Sequence, residues 1–60
     1  MATPKELMDR AKKVLGPVAE TIGTELTILG LDDEEFEKEY TDRLAKITGN
    51  RKLVENILKG

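Results

Sequence analysis

Cysteine, histidine and tryptophan are all missing from this chain of 60 residues, which holds one phenylalanine and one tyrosine. Each absence removes a class of structure or chemistry. Without cysteine there is neither a disulfide framework nor a thiolate metal site. Without histidine the commonest metal ligand and the commonest general base are lost together. No stretch approaches the roughly 18 consecutive apolar residues that a membrane-spanning helix needs. The opening Met1-Ala2-Thr3-Pro4-Lys5-Glu6 leads into charge rather than into an apolar segment, which argues against a secretory signal and sets the expected compartment as cytoplasmic.

What remains is a chain of 38% apolar and 37% charged residues, with a formal net charge of -2. That balance, with apolar residues spaced periodically, describes one small soluble domain over residues 1–60 rather than a disordered segment. A chain this short buries only about 60% of its unfolded surface, so its stability is expected at roughly 3–9 kcal/mol. With no metal or disulfide to staple it, association with a copy of itself or with a partner is the remaining way to enlarge the buried core.

The apolar spacing predicts an all-α bundle of three to four short helices, at about residues 4–15, 17–29, 33–48 and 51–59. Thr3-Pro4-Lys5-Glu6 reads as a helix start, with Thr3 as N-cap, Pro4 at the first helical position and Glu6 three residues beyond the cap. Leu7, Met8, Ala11, Val14 and Leu15 follow at helical spacing. Pro17 cannot donate to the carbonyl of Lys13, so the pattern breaks at Gly16-Pro17. Two helices, or one long helix kinked there, both fit; two helices are the preferred reading. The Thr-rich and Ile-rich tail Thr24–Leu29 has the weakest helical preference in the chain.

Leu31-Asp32-Asp33-Glu34-Glu35-Phe36 is the clearest local signal. Asp32 is placed as N-cap, Glu35 completes a capping box, and Leu31 and Phe36 can close over the first turn as a hydrophobic staple. The helix that follows carries a stripe of Phe36, Tyr40, Leu44 and Ile47, with Glu34–Lys38, Glu39–Arg43 and Asp42–Lys46 at pairing distance along its sides. Gly49 stops it. Asn50 caps a last helix with Leu53, Val54, Ile57 and Leu58 on one face.

Charge is distributed unevenly. Residues 1–31 are neutral, residues 32–42 set seven acids against Lys38 for a net of −6, and residues 43–60 set five bases against Glu55 for a net of +4. Acids at a helix start and bases near its end offset the helix macrodipole, which accounts for much of this pattern. The same pattern also describes a dipolar module able to associate head to tail.

Catalytic and metal signatures are lacking. There is no Ser-His or Cys-His pairing, no glycine-rich phosphate loop and no zinc spacing. A calcium loop beginning at Asp32 or Asp33 would need glycine at its sixth position, where Glu37 or Lys38 stands. An aliphatic bundle this small offers little room for a ligand pocket of several hundred cubic ångströms. No cofactor, metal or small-molecule ligand is therefore expected, and no enzymatic activity.

The leading expectation is a non-enzymatic protein–protein interaction module or accessory subunit that associates with itself. Its partner face is expected on Tyr40, Leu53, Val54, Ile57 and Leu58. The runner-up is a small nucleic-acid-binding regulator that uses Arg43, Lys46, Arg51 and Lys52. Leu29-Gly30-Leu31, with Phe36 five residues on, resembles the turn of a helix-turn-helix. Against that resemblance, Glu25 and Glu39 stand where the motif buries apolar side chains. The following helix would also face phosphate with Asp33, Glu34 and Glu35.

Overall fold

Four helices account for nearly all of residues 3–59, which the computed structural model describes; Met1, Ala2 and Gly60 lie outside the described residues. They are α1 (Pro4–Leu15), α2 (Pro17–Ile28), α3 (Asp33–Thr48) and α4 (Arg51–Lys59), and no strand occurs among the described residues. The all-α architecture is the one the apolar spacing predicts, and α2 ends one residue earlier than expected, with Leu29 as its C-cap.

The N-caps read from the sequence form, whereas the reciprocal capping-box bonds from the Thr3 and Asp32 N–H groups to Glu6 and Glu35 do not appear among the described residues. The Thr3 hydroxyl accepts from the Glu6 N–H at 3.3 Å, and the Asp32 carboxylate accepts from the Glu35 N–H at 2.8 Å. Asn50 does the same for Leu53 at 3.0 Å. The Glu35 carboxyl turns toward the carboxyl of Asp32, and that hydrogen bond and the neighbouring charge raise its pKa. Leu31 is half-buried against the core that contains Phe36, as the staple requires.

Gly16 decides between one kinked helix and two. Its backbone sits at φ 80 and ψ -157, a region open essentially to glycine alone, so the chain turns on a single residue. The Gly16 N–H closes α1 on the Lys12 carbonyl at 2.9 Å, and Pro17 opens α2 where a missing donor costs nothing. The Thr-rich tail of α2 stays helical because Ala19, Gly23 and Leu26 form a buried stripe, so packing overrides weak local preference.

The core comprises Leu7, Ala11, Ala19, Leu26, Phe36, Tyr40, Leu44, Val54 and Leu58. The Phe36 and Tyr40 rings lie 5.1 Å apart at 37°, and the Tyr40 hydroxyl donates to the Ala19 carbonyl at 2.7 Å, tying α3 to α2. Close approach there is possible because position 23 is glycine. A β-carbon at that position would overlap the Met8 side chain and stand 3.5 Å from the Tyr40 ring. Helices α1 and α3 each touch the three others, whereas α2 and α4 do not meet. Helix α4 is held to α1 by the Arg10 guanidinium, which donates to the Leu58 carbonyl at 2.8 Å.

The apolar stripes are not buried along their whole length. Ile47 is 55% exposed and Val14 is 60% exposed, although both continue the faces that bury Leu44 and Ala11. The final turn of α3 leaves Ile47 open beside the Gly49 corner, where the chain turns into α4.

Candidate interaction surface

The expected partner face divides on folding. Tyr40, Val54 and Leu58 are buried inside this chain's own core, so the placement of these three on a partner surface is corrected. The cause is the inward packing of α4: its Val54–Leu58 face closes against α3 and α1. Leu53 remains exposed and Ile57 half-buried on the neighbouring flank of the same helix.

The cationic set is also split. Arg51 pairs with Asp42 at 2.6 Å and with Glu55 at 3.4 Å, while Arg43 lies 3.9 Å from Glu25 on α2. Among the described residues no carboxylate closes within 4.0 Å of Lys46 or Lys52. None of the three pairs expected along α3 closes within 4.0 Å; Glu39–Arg43 and Asp42–Lys46 are lost because Arg43 and Asp42 turn to neighbouring helices. Cross-helix partners such as these are set by packing and leave no periodic trace in a sequence.

A pattern absent from the sequence reading emerges from exposure. The large apolar side chains most open to solvent are Val14, Val18, Ile28, Leu29, Ile47 and Leu53. Every one lies within four residues of a positive-φ glycine: Val14 and Val18 beside Gly16, Ile28 and Leu29 beside Gly30, Ile47 and Leu53 beside Gly49. Interhelical corners are ordinarily the most polar parts of a bundle. The signal that could have found this was available: apolar residues flanking each glycine, at positions where the helical stripe runs out.

Two of these corners carry opposite charge. The α2–α3 corner joins Ile28 and Leu29 to Asp32, Asp33, Glu34 and Glu35, and no cation among the described residues closes within 4.0 Å of those acids. The α3–α4 corner joins Ile47 and Leu53 to Lys46 and Lys52. They stand at the two ends of α3, roughly 24 Å apart at 1.5 Å per residue.

Between α3 and α4 runs an open groove of about 540 Å³, larger than an aliphatic bundle of this size led us to expect. Its walls are Glu34, Glu35, Glu37 and Glu55 against Lys38 and Arg51, with the Thr41 hydroxyl already donating to the Glu37 carbonyl at 2.8 Å. Ligand sites are usually concave, apolar and enclosed, with a few converging polar groups. This one is a charged trough on the outside of the bundle. No described helix is long and apolar enough to cross a membrane. Compared with known protein families, curated proteins and solved structures, the chain matches none.

Proposed function

We propose that this chain is a non-catalytic protein-binding module, an accessory subunit that associates with itself. The observation that carries the reading is the concentration of exposed aliphatic side chains at the three interhelical corners, in a chain with charge enough to cover them. Exposed apolar residues scattered singly are ordinary on any protein. Pairs gathered at corners, rimmed by charge, have the composition of an interaction surface. A core of nine side chains in a chain of this length also leaves folding free energy to be gained by covering such corners.

Sedimentation velocity over a concentration series tests this directly. The wild-type chain is expected to gain mass with concentration. Leu53→Asp is expected to lower that mass while leaving helicity unchanged, because Leu53 is 42% exposed and outside the core. A chain that stays monomeric at millimolar concentration defeats the reading. The nucleic-acid alternative rests on Lys46 and Lys52, since Arg43 and Arg51 are engaged by carboxylates. It predicts instead binding that falls steeply with salt and is lost in Lys46→Glu with Lys52→Glu.

A further inference from the structure

We infer that copies of this chain associate head to tail, the α2–α3 corner of one seating against the α3–α4 corner of the next. The inference rests on the self-association proposed above and names its geometry. Two features of these corners point to a second copy as the occupant. Each offers two exposed aliphatic side chains, Ile28 (79%) and Leu29 (62%) at one, Ile47 (55%) and Leu53 (42%) at the other. Each also carries exposed charge with no ion-pair partner within 4.0 Å among the described residues, four carboxyls at the first and Lys46 and Lys52 at the second.

A two-fold pairing of like corners would bring four carboxyls against four, or lysines against lysines. Head-to-tail contact instead brings acids to lysines around an apolar centre, the arrangement that favours both encounter and register. The carboxyls of Glu35 and Asp32 already crowd each other, and a neighbour's ammonium groups would relieve that crowding. The corners lie at the two ends of α3, so an end-to-end contact between them is heterologous. Successive copies therefore add to a chain or ring rather than stopping at a closed pair. An antiparallel pair that closed both corners at once would stop at the dimer and would overturn this geometry.

Two variants, each with one corner disabled, test the geometry. Leu53→Asp disables the basic corner, and Ile28→Lys with Leu29→Lys disables the acidic one; circular dichroism checks that both remain helical. In sedimentation velocity at low salt the wild-type chain is expected to pass beyond the dimer as concentration rises. Each variant alone is expected to be monomeric. An equimolar mixture is expected to form a 1:1 complex and go no further, because each variant keeps the corner the other has lost. Raising salt is expected to weaken association roughly tenfold or more, since exposed charges are screened. If the Ile28→Lys, Leu29→Lys variant still associates with itself, or if the two variants stay apart on mixing while the wild-type chain associates, the head-to-tail geometry is overturned and self-association stands. If the wild-type chain never leaves the monomer, both are overturned.

Discussion

Tyr40 shows how much one side chain can carry in a small bundle. Its ring is wholly buried, its hydroxyl ends on the Ala19 carbonyl, and burial pushes its pKa up from 10.0 to about 12. The folded chain therefore keeps a proton that the unfolded chain gives up above pH 10. Stability from this group is complete below pH 10 and drains away as pH climbs toward 12, by about 3 kcal/mol in all. Urea titrations at pH 8 and near pH 12 should show that loss in the wild-type chain. Tyr40→Phe should start about 0.5–1.5 kcal/mol less stable at neutral pH and lack this part of the alkaline loss. Equal alkaline losses in the two proteins would mean that this phenol does not govern the pH response. Tyr40 was legible as a large stripe residue but not as an anchor, because its acceptor lies 21 positions away on another helix.

Among the elements, α4 is the least secured. It has 9 residues, buries Val54 and Leu58, and touches only α1 and α3. An isolated helix of that length is marginal in water, so tertiary contacts must hold it. Arg10 supplies one of them, placing a cation on the negative end of the helix. Arg10→Ala should therefore loosen the last turn of α4 by about 1 kcal/mol, read as roughly fivefold faster amide exchange there with α2 unchanged. Uniformly faster exchange through every helix would instead mean that Arg10 supports the whole fold. Helix boundaries could be read from the sequence because Thr3, Asp32, Asn50 and the glycines act through bonds a few residues long. The Arg10–Leu58 bond and the Arg51–Asp42 pair could not, since each depends on how two helices cross.

At the scale of the whole molecule, the small core sets the terms. The chain spans 26 × 21 × 17 Å, and Phe36 and Tyr40 are the largest side chains inside it. Removing a buried phenylalanine ring costs about 3–5 kcal/mol, comparable with the roughly 3–9 kcal/mol expected for the entire chain. Phe36→Ala is expected to abolish, or lower by tens of degrees, the cooperative thermal transition seen by circular dichroism. A melting point within a few degrees of wild type would show that the core has reserves the structure does not display. Of the proposed interaction surface only Leu53 was legible as a partner residue; Ile57 packs against the core, and the periodicity that marks Val54 and Leu58 as apolar cannot say which apolar residues point inward until the neighbouring helices are in place.

The contact of Met8 with Gly23 has a consequence for any chain built on the same plan. Two positions fifteen apart share one allotment of space, and what the first occupies the second must forgo. Substitutions at these two sites are thus expected to come in compensating pairs, a bulkier residue at one matched by a slighter one at the other. A variant collection that treats them as independent would miss the sequences in which α1 and α2 still fit together.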